Sequence, residues 1–167
     1  GNRLGGINVN SQADTYNESH FNRVTADLNS GNGIALAAIS AHSWVEATFT
    51  TNRASNNMGD GVRLQVLQAQ SDIYVAGERN VLCYNFDNGL GVYNLTAPGT
   101  IMVDFGGGTW FGGMNSIYFN LNKEVFNATV ETIWAKENWW GTTAVDNSLF
   151  TGDVERTPWL ASDPNQP

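Results

Sequence analysis

Charge and cysteine are both scarce in this 167-residue chain. Lys, Arg, Asp and Glu make up 14% of it, against about a quarter in an average domain. Long solvated helices draw on Glu, Lys and Arg, so the chain is not built from them. Eight Lys and Arg stand against 16 Asp and Glu, for a net charge of −8. Nucleic acids and anionic membranes are held by clustered cations. Here the basic residues are scattered from Arg3 to Arg156, so neither partner is expected. No apolar run approaches the ~20 residues of a membrane span. The first residues are polar, with no signal-peptide pattern. Either such a segment has been removed, or the chain is a piece of something longer.

The single cysteine, Cys83, permits no intrachain disulfide and no cysteine-based metal site. Within Val81-Leu82-Cys83-Tyr84 it reads as a small core residue. His20 and His42 lack metal-ligand spacing, no Gly-x-Ser-x-Gly elbow is present, and Gly106-Gly107-Gly108 lacks the Lys-Ser/Thr of a phosphate loop. That glycine run reads as a wide turn. No metal and no cofactor are expected.

What is abundant is Gly, 18 in all, together with Asn, Ser, Thr and Gln. Asn and Gly tolerate left-handed backbone and suit turns between strands. The glycines recur: Gly31-Asn32-Gly33-Ile34, Gly59-Asp60-Gly61-Val62 and Gly89-Leu90-Gly91-Val92, with steps of 28 and 30 residues. A weaker first copy, Gly5-Gly6-Ile7, lies 27 residues before Gly33-Ile34. A fifth turn is read near Ser116-Ile117-Tyr118-Phe119. After each corner the residues alternate. Ile34, Leu36, Val62, Leu64 and Val66 would point inward, and Ala35, Ala37, Arg63, Gln65 and Tyr93 outward. Further short apolar pieces lie between, so each period holds two or three strands. One such unit cannot bury its apolar face alone, whereas stacked units can. The expectation is an all-β parallel β-helix of about five coils. At the inter-strand spacing it would be on the order of 24 Å long. Leucine-rich repeats, propeller blades and sandwiches fit the period and corners less well. Residues 125–136 fit a strand or a helix face, and the Thr, Val and Ile content favours strand.

The chain ends in Asn138-Trp139-Trp140-Gly141, a polar loop, and Pro158-Trp159-Leu160. With the upstream Asn-rich Gly-x-Gly coils, this resembles the right-handed parallel β-helix, pectate-lyase-like superfamily of secreted and surface proteins. Thr142-Thr143 stands where many members carry Gly-Pro. At this length the chain reads as one domain, with coils over 1–137, a cap over 138–160 and a tail over 161–167 expected to be extended or frayed. Asn138, Trp139, Trp140, Gly141, Pro158 and Trp159 would form the cap. The resemblance implies an extracellular or cell-surface setting, often concerned with carbohydrate. The matching motif is a cap, so it carries no catalytic residues.

A glycosidase needs two carboxylates roughly 5–9.5 Å apart. The outward row inferred on the repeated strands, Asn8, Ala35, Arg63 and Tyr93, holds none. Asp60 and Asp87 read as corner residues, and Asp104 could meet Asp72 or Glu46 on other faces. Acids and bases from different coils are therefore not expected to converge in one cleft. A lyase would need a cation for a uronate, from Arg63, Arg79, Lys123 or Lys136. Arg63 beside Tyr93 could clamp a carboxylate next to a stacking ring, or simply lie over its neighbour. Trp44, Trp134, Trp139 and Trp159 read as core or cap. Trp110, in a Gly-rich loop, either stacks on a sugar or tucks under that loop. The expected function is a non-catalytic scaffold or carbohydrate-binding surface, with Arg63, Gln65, Tyr93 and Trp110 as candidate binding residues and a polysaccharide or glycan as partner. The alternatives are a polysaccharide lyase or hydrolase near Arg63 and Tyr93, and a protein that assembles through an open N-terminal end or docks there on a preceding domain.

Overall fold

The computed structural model describes residues 5–95, 99–109 and 113–166. Trp110, and the segments 1–4, 96–98, 111–112 and residue 167, lie outside the described residues. The chain winds through about five turns of a parallel β-solenoid, and the described residues contain no α-helix.

Three parallel sheets run along the stack. The first contains β1 (Ile7–Ser11), β3 (Ile34–Ala38), β6 (Val62–Val66), β9 (Leu90–Asn94), β12 (Val125–Ala128) and β14 (Phe150–Thr151). The second contains β2 (Tyr16–Asn22), β4 (Trp44–Thr50), β7 (Asp72–Glu78), β10 (Thr100–Asp104), β13 (Ile133–Trp134) and β15 (Val154–Glu155). The third is short: β5 (Arg53–Ser55), β8 (Val81–Cys83) and β11 (Ser116–Tyr118). Thus residues 125–136 form two strands around a turn, and not a helix.

The inward residues form columns along the stack. Ile34, Val62, Leu90 and Val125 make one, and Val45, Ile73 and Ile101 another, all buried. Phe21 stacks on Phe49 with ring centroids 4.7 Å apart. The next position in that column is Gly77. Phe105 leans into the vacated space, its ring 2.7–2.9 Å from where a Cβ on Gly77 would stand.

The corners are held by asparagine. Asn29, Asn57 and Asn85, all buried, and half-buried Asn120 form one ladder, in which each Nδ2 donates to the next Oδ1 at 2.8–3.0 Å. Asn52, Asn80, Asn115 and Asn138 form a second, with distances of 2.9–3.0 Å. Each Oδ1 also accepts the backbone N–H of the preceding coil, as from Asn52 to Asn80 at 2.9 Å. This answers the accounting that every buried backbone group demands. The residue before each asparagine of the first ladder, Leu28, Asn56, Tyr84 and Phe119, has φ between 56° and 59°.

Two expectations about register are corrected. Val62 pairs with Leu90, so Gly61 is matched by Gly89 and not Gly91. The step is 28 residues in both intervals, and Tyr93 lies opposite Gln65 while Gly91 lies opposite Arg63. A Gly-x-Gly pair occurs at both levels, and the eye aligns the wrong member. Ser116–Tyr118 belongs to the third sheet, paired with β8. The fifth strand of the first sheet is β12, 35 residues after β9, because the loop following β10 is longer.

The cap is a continuation of the ladder. Asn138 Nδ2 donates to the carbonyls of Phe105 and Ala135 at 2.8 Å each. Trp140 is buried and meets Phe150 edge-on at 4.9 Å. Gly141 has φ 78°, and a Cβ there would lie 2.8 Å from Tyr118 Cβ. The N–H of Glu137 donates to Pro158 O at 2.6 Å and that of Leu160 to Asn138 O at 2.9 Å. Trp139 is half-buried, and Trp159 is partly exposed. The tail, expected to be extended or frayed, is docked at Asp163 and Asn165. Asn165 Nδ2 donates to Met114 O at 2.8 Å, and Asp163 accepts the Ser116 hydroxyl.

Candidate functional site: the outward face of the second sheet

Alternation along β2, β4, β7, β10 and β13 sends every second residue outward. On this face the outward residues are Tyr16, Glu18 and His20, then Trp44, Glu46 and Thr48, then Asp72, Tyr74 and Ala76, then Thr100 and Met102, and finally Trp134. Tyr16 is 57% exposed, Trp44 41% and Trp134 39%. The expectation that Trp44 and Trp134 serve the core is therefore corrected. They occupy outward register positions, and the smaller Val45 and Ile133 beside them fill the interior.

The rings touch across strands. Trp44 and Tyr74 stack with centroids 5.0 Å apart, and Tyr16 meets Trp44 edge-on at 6.1 Å. Tyr16 donates its hydroxyl to Glu46 Oε2 at 2.9 Å. That bond, with Glu18 close by, holds the Tyr16 phenol above its ordinary range. Burial, then the nearby Asp72 charge, does the same for Tyr74.

Three grooves open on or beside this face. One of about 500 Å³ runs along Trp44, Glu46, Thr48, Tyr74 and Ala76. The second, about 470 Å³, is lined by Met102, Asp104, Thr109, Glu131 and Trp134. A third, about 510 Å³, continues past Asn94, Thr129, Val130 and Glu131. Glu131 borders two of them, and its buried Oε2 has no hydrogen-bond partner among the described residues. Asp104 is committed elsewhere, since its Oδ1 accepts the N–H groups of Gly106 and Gly108 at 3.0 and 3.2 Å.

Two carboxylates from different coils meet on this face, while the one acid–base contact lies within a single strand. Glu18 and Glu46 are directly opposed on neighbouring strands. His20 Nε2 lies 3.1 Å from Glu18 Oε1, and its Nδ1 lies 2.8 Å from Thr48 Oγ1. The signal was available in the sequence: Glu18 and Glu46, like Phe21 and Phe49, are 28 residues apart. The two glutamates and the histidine stand in solvent.

The residues expected on the first sheet also come together, around a buried carboxylate. The Arg63 guanidinium sits 4.0 Å over the Tyr93 ring, and its Nε donates to Gln65 Oε1 at 3.3 Å. Beneath them lies Asp60, fully buried, with Arg63 Nη1 3.2 Å and Tyr93 Oη 3.3 Å from its Oδ2. Asp60 Oδ1 accepts the N–H and side-chain amide of Asn88 at 3.1 and 2.7 Å. Burial raises the Asp60 pKa, and the Asn88 bonds and Arg63 pull it back. The cluster neutralises a corner carboxylate. A uronate would have to compete with Asp60 for the guanidinium. Trp110, the fourth expected binding residue, lies outside the described residues.

No group of three or more His, Cys, Asp and Glu residues able to hold a metal ion occurs among the described residues.

Comparison with protein-family models, with curated proteins and with solved structures finds no match.

Proposed function

We propose that this chain is a non-catalytic carbohydrate-binding module, presented outside the cell, whose ligand-facing surface is the outward face of the second sheet. The observation that carries the reading is the run of exposed Tyr16, Trp44, Met102 and Trp134 beside grooves of roughly 500 Å³. Sugar sites combine such apolar walls with a few polar groups that fix orientation. Trp44 and Tyr74 stack on one another, so they offer a wall of ring edges and the outer part of the indole. Glu46 and Glu131 can accept bonds from sugar hydroxyls. Their charge favours neutral glycans and opposes polyuronates. The extracellular setting, and a right-handed coil of the pectate-lyase-like kind, rest on the resemblance of the coils and the Asn-Trp-Trp-Gly cap.

The test is binding of cellohexaose, chitohexaose, mannohexaose and hexagalacturonate to the wild-type chain and to Trp44→Ala. The reading requires that a neutral hexasaccharide binds, that hexagalacturonate binds more weakly, and that Trp44→Ala weakens binding at least tenfold. Binding unaffected by Trp44→Ala would move the site elsewhere.

A second reading, a polysaccharide hydrolase, draws on the opposed Glu18 and Glu46. New reducing ends that disappear in both Glu18→Gln and Glu46→Gln would favour it over the first.

A further inference from the structure

The two asparagine ladders have the same backbone but different flanks. Before each asparagine stands a left-handed residue whose side chain faces solvent. Beside the second ladder these are Thr51, Arg79, Met114 and Glu137, mostly polar. Beside the first ladder they are Leu28, Asn56, Tyr84 and Phe119. The residues that follow the first ladder's asparagines are Ser30, Met58, Phe86 and Leu121. Leu28, Met58, Tyr84, Phe86, Phe119 and Leu121 are each 50–74% exposed. The corner geometry does not demand this, because the second ladder achieves the same turns with Arg, Thr and Glu. Left-handed backbone also disfavours bulky residues and suits Asn, which stands at position 56. Leu, Tyr and Phe are held there at a cost, with their side chains in water.

The six apolar side chains form two rows along the solenoid, stepping at about the inter-strand distance of 4.8 Å. Between the rows stand the asparagines of the ladder, less exposed than the residues on either side. Side chains half to three-quarters exposed present together on the order of 700 Å². A monomer rarely leaves so large a patch uncovered, and it approaches the roughly 800 Å² per partner of a standard interface. None of the eight residues in the two rows carries a charge at neutral pH. On a chain of net charge −8, two such strips meet with no like charge between the rows themselves, and Asp27 and Asp87 flank them. An anionic lipid surface would find no Lys or Arg in either row.

We infer that this corner is the interface of a two-fold dimer, in which the apolar rows of one copy pack against those of another. The contact is lateral and leaves both the second-sheet face and the ends of the solenoid free. It is independent of the carbohydrate reading.

Sedimentation equilibrium of the full chain over 1–200 µM tests it. The expected result is a species of twice the 18.2 kDa chain mass. The double substitution Tyr84→Asn, Phe119→Asn should raise the dimer dissociation constant at least tenfold. Asn suits the left-handed backbone at both sites, so the variant is expected to fold. Met58→Ser with Phe86→Ser should act likewise while leaving the Tyr84–Phe119 ring contact intact. A wild-type chain that stays monomeric throughout overturns the inference, and would make the corner a surface for something other than its own copy. A dimer that persists in both double variants overturns it as well.

Discussion

Asn57→Ala puts the asparagine ladder to a quantitative test. Asn57 is fully buried, and its side chain serves three neighbours. Its Oδ1 accepts the Asn29 N–H at 3.1 Å and the Asn29 Nδ2 at 2.8 Å. Its Nδ2 donates to Ala26 O at 2.9 Å and Asn85 Oδ1 at 3.0 Å. Removing the amide takes the acceptor from the Asn29 N–H and the donor from the Ala26 carbonyl, and costs the Asn29 side chain one bond. Asn85 Oδ1 keeps the backbone N–H of residue 57, at 3.1 Å. Each stranded buried group costs about 1–3 kcal/mol, and partial relaxation offsets some of it. The expected loss is about 4 kcal/mol, a large share of the 5–15 kcal/mol typical of a whole domain. Equilibrium urea unfolding measures it. Asn57→Asp separates hydrogen bonding from volume, because it nearly conserves size but cannot donate when ionised. It should lose at least as much as Ala at pH 8 and recover part of the loss when protonated. Asn122→Ala, at an exposed asparagine whose side chain reaches Asp87, should cost under about 0.5 kcal/mol. A loss below about 1 kcal/mol for Asn57→Ala would refute the claim that the ladder holds the corners.

Burial raises the Glu124 pKa to about 7, although Asn120 opposes the shift. Its folded value lies above its unfolded one, so its stabilising contribution is complete below about pH 4.3 and is lost as pH rises through 7. Glu124→Gln should therefore be more stable than wild type at pH 8, with the difference shrinking towards pH 4; urea titrations at both pH values decide, and equal slopes would refute it. Gly77→Ala drives a methyl into the Phe105 ring, and overpacking of this kind costs about 1–3 kcal/mol; Gly77→Ala with Phe105→Leu should recover part of that in thermal unfolding. Arg63→Ala leaves Asp60 buried beside Tyr93 with less compensation, and should lower stability by about 1–2 kcal/mol because the partner is partly solvated. Asp60→Asn in the Arg63→Ala background should reverse most of that loss.

The solenoid was legible because its corners carry Gly and its strands alternate, and both signals survive at a regular spacing. The inward columns followed directly: Ile34, Leu36, Val62 and Leu64 lie where alternation put them. The third repeat was misaligned because Leu90 interrupts two glycines and either can be set against Gly61. In the sequence the asparagines point only to turns, because Asn tolerates left-handed backbone. Their real partners are one coil away, at the 28-residue step of Asn29, Asn57 and Asn85. Ladder bonds are set by stacking, which a scan along one coil does not reveal. Trp44 and Trp134 read as core or cap, being large and apolar. Their neighbours Val45 and Ile133 fit the narrow interior better, and the strand period then forces the indoles outward. Arg63 and Tyr93 were paired correctly as neighbours, but the buried Asp60 beneath them was invisible to a reading that treated it as a turn residue.

The central claim is that the second-sheet face binds glycans. Isothermal titration of the wild-type chain and Trp44→Ala with neutral hexasaccharides, hexagalacturonate serving as the charged comparison, tests it most directly. The account predicts saturable binding of a neutral hexasaccharide, weaker binding of hexagalacturonate, and at least a tenfold loss in the variant with its unfolding midpoint little changed. Equal affinity in wild type and Trp44→Ala, or a preference for the polyuronate, would contradict it.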